Sequence, residues 1–221
     1  MERLAQTNTT RGMSASALRM AGYFCLLMGI AGKGLIQNGM LGLSGLNTQE
    51  MMNVFMGGSC FIYYGEEIGM VGSGNDPSKR APMVWNEKRN DGTTNPPPEC
   101  QLPEEYPMGS LEKQRKDDDS LYNYYRQIIA IRNAMPVISH GRITAETALN
   151  VGCISAQRKT WGDESCIILM NVDTQAAQVD LSAYADWTLA ASVSADGNEI
   201  AMDGHELTMP AFGVAILCPA T

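Results

Sequence analysis

The 221-residue chain lacks most of the patterns that announce a function. Its six cysteines (Cys25, Cys60, Cys100, Cys153, Cys166, Cys218) include no C-x-x-C pair, so neither a zinc site nor a redox motif is indicated. Free buried thiols are the expected state. Cys153 and Cys166 are the one pair that a hairpin would place face to face, and cysteine usage leaves the compartment open. His140 and His205 lie far apart with no metal-ligand pattern around them and read as surface residues. Clustered Lys and Arg are missing too. With a formal charge of −8 and a pI near 4.8, the chain is a poor partner for nucleic acid, and neutral or cationic ligands suit it better. The longest apolar run, Met20 to Ala31, is well short of the ~20 residues that a transmembrane helix takes. Arg3, Arg11 and Arg19 ahead of it and Gly29-x-Ala31 behind it sketch a signal peptide. The polar leader is long, however, and no well-formed A-x-A site follows, so a buried helix is the better reading. Gly29-Ile30-Ala31-Gly32-Lys33-Gly34 has neither the gap nor the Ser/Thr of a phosphate loop.

What is present is a hydrophobic fraction of 44%, enough for one large domain or two modest ones. The most informative stretch is Gly57 to Trp85. Cys60-Phe61-Ile62-Tyr63-Tyr64 is a short aromatic and β-branched run between glycines and predicts a strand buried on both faces. Glu66 and Glu67 follow at its end, where neighbouring side chains point to opposite faces, so only one can enter a shared cavity. The chain then becomes irregular and carries Asp76 and Arg80 before Pro82 and Trp85. A strand that empties into a loop with carboxylates, an arginine and aromatics is how barrel enzymes build a site. The plainer alternative is that Asp76 and Arg80 are a loop-stabilising ion pair and Trp85 is core.

Around this stretch, Asn47 with Glu50 caps a predicted helix from Thr48 to Met56, stopped by Gly57-Gly58. Residues 91 to 119 are rich in proline, glycine and charge and predict a long surface excursion. Asp117 to Asp119 and the cap Ser120 open a helix to Ala134, with Leu121, Tyr124, Tyr125, Ile128 and Ile131 on its core face and Pro136 ending it. Beyond Pro136, Leu149 to Ile154, Ser165 to Val172, Trp187 to Ala190 and Phe212 to Leu217 are short β-rich runs. They alternate with turn residues at Asp163, Asp196-Gly197-Asn198 and Asp203-Gly204, the signature of an antiparallel sandwich.

CFIYYGEEIGM, followed by Asp76-x-x-x-Arg80-x-Pro82-Met83-x-Trp85, resembles the eighth-strand segment and following loop of the α-amylase family of glycoside hydrolases. The usual form there is Gly-x-Pro-x-Ile-Tyr-Tyr-Gly-x-Glu, and Cys60 replaces its proline. The helix from Ser120 to Ala134 and the closing Met209 to Ala215 resemble that family's last barrel helix and final β strand, so the resemblance covers roughly residues 50 to 221. It implies an α/β fold class: a C-terminal fragment of a (β/α)8 TIM barrel over residues 1–138, with a long loop at 70–119, then an all-β antiparallel sandwich over 139–221.

The resemblance also implies substrate contacts at Tyr64, Glu66, Asp76 and Arg80, and an α-glucan or malto-oligosaccharide as ligand. Gln6 to Arg11 is the nearest alignment to the family's Asn-His-Asp segment, and Asn8 then stands where the transition-state Asp belongs, which removes its charge. Gln6 to Arg11 reads equally well as a plain polar leader. No nucleophile or acid/base motif is recognisable, so no catalytic residue is assigned. No metal or cofactor is implied either: calcium, which the resemblance allows in the full-length family, has no supporting residues here. A whole barrel takes ~250 residues, more than residues 1–138 provide. A truncated hydrolase of α-glucosidic bonds, inactive alone and prone to self-association through exposed barrel edges, is therefore expected. The alternatives are a non-catalytic carbohydrate- or partner-binding protein resting on its β domain, with Trp187 as contact, or a remnant without function.

Overall fold

A computed structural model describes residues 51–72, 75–90 and 92–220. The C-terminal half is organised by β2 (Ile154–Trp161) and β3 (Glu164–Asn171), an antiparallel pair that closes at Trp161 opposite Glu164. Gly162 takes φ 60° at the first loop position, as a type II′ turn demands. Around this hairpin, β1 (Arg142–Ala145), β5 (Trp187–Val193) and β8 (Val214–Pro219) complete a five-stranded antiparallel sheet in the order β1-β2-β3-β8-β5. A second sheet, β4-β7-β6, is built from β4 (Ala177–Asp180), β6 (Ala201–Asp203) and β7 (Glu206–Met209). The expected turn at Asp203-Gly204 joins β6 to β7, with Gly204 at φ 59°. The predicted strand at Leu149 to Ile154 starts later than expected: residues before Ile154 form turns.

Alternation along β3 explains why its sequence is a continuous apolar run rather than a polar/apolar alternation. Ile167 and Leu169 join Ala215, Leu217, Val179, Leu207 and Met209 in the core between the two sheets. Cys166, Ile168 and Met170 point the other way and pack, with Val214 and Ile216, against helices. A strand covered on both faces has no solvent side on which polar residues are favoured. The covering helices are α3 (Leu121–Ala134), α4 (Pro136–His140) and the helical residues 51–55. As predicted, Ser120 caps α3 by accepting from the Asn123 N–H at 3.3 Å. Leu121, Tyr124, Tyr125 and Ile128 face the core and Ile131 is half-buried.

Residues 56–120 depart from the sequence-based expectation in two ways. Cys60 to Tyr64 forms no strand, and Phe61 is 73% and Tyr63 46% exposed. A barrel strand is fixed by ladder hydrogen bonds to neighbours, and among the described residues none runs beside it, so the run is an exposed irregular segment. The proline-rich excursion, conversely, is more than surface. Ile68, Met70, Ala81 and Val84 form a small core of their own, flanked by Cys100, Tyr106, Leu111 and Tyr122. Buried Gln114 ties it to the rest: its Nε2 donates to the Ile68 carbonyl at 2.9 Å and its Oε1 accepts from the Tyr122 N–H at 3.1 Å. Gln114 belongs to α2 (Leu111–Gln114), and α1 (Asp76–Lys79) lies earlier in the same region. Cys153 and Cys166 are not opposite each other: Lys159 faces Cys166, and the Cys153 carbonyl accepts from the Val172 N–H. Both histidines are exposed, and the His140 ring lies 5.0 Å from that of Trp161. Among the described residues, no helix is long and apolar enough to cross a membrane.

Candidate functional site

The candidate site begins at a tight turn. Gly65 and Gly69 hold φ of 87° and 63°, bracketing the single 3-10 turn Glu66–Ile68. A β carbon on Gly65 would stand 2.6 Å from Met70 Sδ, so both conformation and space demand glycine there. Glu66 and Glu67 therefore start a helical turn rather than finish a strand, and their carboxylates hold it together. Glu66 accepts from the Tyr63 N–H at 3.1 Å and Glu67 from the Gly65 N–H at 2.7 Å.

The turn projects Tyr64 toward the following loop, where its hydroxyl donates to the Ala81 carbonyl at 3.1 Å. The Tyr63 ring lies beside it at 4.8 Å between centroids. Partial burial pushes the Tyr64 hydroxyl above its ordinary pKa, Tyr63 adds to the rise, and the nearby Arg80 guanidinium opposes it. On the far side, Asn75 caps α1 by accepting from the Ser78 N–H at 3.1 Å, while its side-chain amide donates to the Glu99 carbonyl at 2.9 Å. Ser78 is fully buried and its hydroxyl accepts from the Gln101 N–H at 2.9 Å. Pinned in this way, α1 presents Asp76 and Arg80 as an exposed ion pair of 2.6 Å. An exposed i,i+4 pair contributes only ~0.3–0.5 kcal/mol, so stability gives little reason for these two residues.

Tyr64, Arg80 and Asp76 are thus gathered on one rim, whereas Glu66 is turned to its own backbone. Trp85 is 44% exposed, not core. Asn8 lies outside the described residues. The same region also holds a polar groove of about 440 Å³ lined by Glu87, Arg89, Glu104, Glu105, Tyr106 and Lys113, which sequence reasoning missed. Its only sequence signal was charge and an aromatic on both sides of the proline run. There Arg89 lies 4.8 Å over the Tyr106 ring. Glu87 accepts from the Ser110 N–H at 2.9 Å, and Ser110 holds its carboxyl below the ordinary range. Among the described residues no three His, Cys, Asp or Glu side chains are grouped to hold a metal ion.

The sequence profile of the alpha-amylase catalytic domain matches residues 40–141. The trehalose synthase/amylase TreS of Mycobacterium tuberculosis is 30% identical over 145 residues, a match covering 59% of this chain and 24% of the relative. Alpha-amylase 3 of Dictyoglomus thermophilum is 39% identical over 85 residues, 38% of this chain and 17% of the relative. Among solved structures, Eubacterium rectale Amy13B superimposes with a TM-score of 0.75 at 29% identity, covering 80% of this chain and 35% of that one. The alpha-amylase from H. orenii gives 0.68 at 28% identity, covering 85% and 37%. The chain spans about a quarter or less of these curated relatives. Through the profile match across the candidate rim and a fold shared over four-fifths of its length, the chain is similar to the α-amylase family of glycoside hydrolases.

Proposed function

We propose that this chain supplies the closing part of an α-amylase-type glycosidase acting on α-glucosidic bonds of starch-like oligo- or polysaccharides, and that these 221 residues alone do not hydrolyse them. In this proposal residues 1–138 are the last units of a (β/α)8 barrel and 139–221 its C-terminal β domain. The observation that carries it is the rim of Tyr64, Arg80 and Asp76, a flat ring beside a guanidinium and a carboxylate that contribute little to stability. Tyrosine offers a sugar an apolar face with a polar tip. A guanidinium has five N–H donors, so Arg80 can keep Asp76 and still reach a hydroxyl. Hydrolysis with retention takes two carboxyl groups ~5 Å apart. Glu66 and Glu67 are committed to the turn, which is why binding without turnover is proposed.

The test is titration of the pure chain with malto-oligosaccharides, alongside an assay of reducing ends. Weak binding that Arg80→Ala lowers further, with no release of reducing ends, is the expected result. Hydrolysis by the chain alone would overturn the inactivity, and absence of binding would overturn the rim. A carbohydrate-binding role resting on Trp187 finds no support, because that ring is buried beneath the Arg158 guanidinium, 4.6 Å from its centroid. Self-association through exposed barrel edges remains part of the proposal, supported by the exposed apolar side chains of Phe61 and Ile62.

A further inference from the structure

We propose that Cys166 and Cys218 are a thiol modification site, forming a reversible disulfide between β3 and β8 on the helix-facing side of the sheet. The register of these strands runs from Met170 opposite Val214 to Ile167 opposite Leu217, and one further step sets Cys166 opposite Cys218. Opposed residues of an antiparallel pair have Cα atoms ~4.5–5.5 Å apart, inside the ~4.4–6.8 Å span of a disulfide. Opposed side chains also share a face, and both cysteines pack in the cluster of Ile168, Met170, Val214 and Ile216. Both are free thiols, and Cys218 is close enough to act electrostatically on Cys166. Among the described residues Cys153 has no such partner, since its register position falls beside Val172.

Exposure sets the order of events. Cys166 is fully buried and Cys218 half-buried near the end of β8, so an incoming low-molecular-weight disulfide such as oxidised glutathione meets Cys218 first. The Cys218 thiolate attacks one sulfur of the oxidant, forms a mixed disulfide and releases one glutathione thiolate. Cys166 then gives up its proton, attacks the Cys218 sulfur and expels the second glutathione. The protein loses two hydrogens and the oxidant gains two. That proton leaves with the expelled glutathione thiolate, which it converts to the thiol.

The experiment treats the folded chain with oxidised glutathione, traps remaining thiols by alkylation and maps the peptides by mass spectrometry, with a urea-unfolded sample in parallel. The expected product is a peptide pair joining Cys166 to Cys218, reversed by dithiothreitol, while the unfolded sample gives scattered pairings. Cys166→Ser should stop at a glutathione adduct on Cys218, and Cys218→Ser should leave Cys166 alkylated only after unfolding. Recovery of both cysteines as free thiols from the folded chain overturns the proposal. So does a stable Cys218 adduct in the unsubstituted chain, or a link to another cysteine. These outcomes are all read on the unsubstituted chain, so a variant that fails to fold leaves the test intact.

Discussion

Gln157, on β2, donates its side-chain amide to the main-chain carbonyl of Phe55 at 3.0 Å, across 102 positions of sequence. Phe55 is the last residue of the helical segment 51–55, whose final carbonyls have no partner within the helix. Arg132 of α3 takes the neighbouring ones, donating to the carbonyls of Val54, Met56 and Gly58. Two long polar side chains thus cap one helix end from the sheet and from the helix packed on it, and they tie the segment before the candidate site to the β half.

Truncating Gln157 leaves a buried carbonyl unpaired. Gln157→Ala should cost ~1–3 kcal/mol, the penalty of a buried polar group without its partner. Urea titration would measure it, and an unchanged midpoint would mean that residues 51–55 separate from the sheet in solution.

Arg132→Ala should destabilise by at least as much, since three carbonyls lose a charged donor. Arg132→Lys should restore only part, because an ammonium lacks the planar fork that reaches several acceptors at once. Equal stability of the two variants would argue against the fork.

Some of this was legible in the sequence and some was not, for identifiable reasons. The helix Leu121–Ala134 carries its cap and its period in adjacent residues, and β3 announces itself as an unbroken apolar run. By contrast β1, β4, β6 and β7 are three or four residues long with exposed positions, below the length at which alternation is a signal. Cys60 to Tyr64 misled because strand propensity describes a fit to neighbours, and here no neighbouring strand is among the described residues. At the rim, the i,i+4 spacing made Asp76 and Arg80 readable as a pair. The reach of the Tyr64 hydroxyl to the Ala81 carbonyl, and of Gln157 to Phe55, depends on the tertiary fold and leaves no local trace.

Gly65→Ala should cost ~1–3 kcal/mol, because the residue holds φ 87° and an added β carbon meets Met70 Sδ at 2.6 Å. The same change should loosen Tyr64 and weaken sugar binding in step with stability. A melting temperature within error of the unsubstituted chain would show that the turn relaxes freely.

Arg80→Ala separates function from scaffold. The ion pair with Asp76 is exposed on both sides, so its loss should shift stability by no more than ~0.5 kcal/mol while sugar binding falls several-fold. The reverse outcome, lower stability with binding intact, would make the pair a loop support and remove it from the rim.

Lys159 gives a pH dependence whose sign is fixed by its burial. The side chain is fully buried, its ammonium donates to the Ile138 carbonyl, and desolvation, helped by the Arg132 charge, lowers its pKa to about 8 from 10.5. Between those two values the unfolded chain holds a proton that the folded chain has released, so stability rises with pH across the window. Below pH 8 the cost of the buried charge is fully present, on the order of 3 kcal/mol. Lys159→Met removes that cost but leaves the Ile138 carbonyl without its donor, so the two variants should differ little at pH 7. The slope is what distinguishes them. Urea midpoints measured from pH 7.5 to pH 10 should climb for the unsubstituted chain relative to Lys159→Met. Parallel curves would mean that the amine stays hydrated in the folded state and titrates as an ordinary lysine.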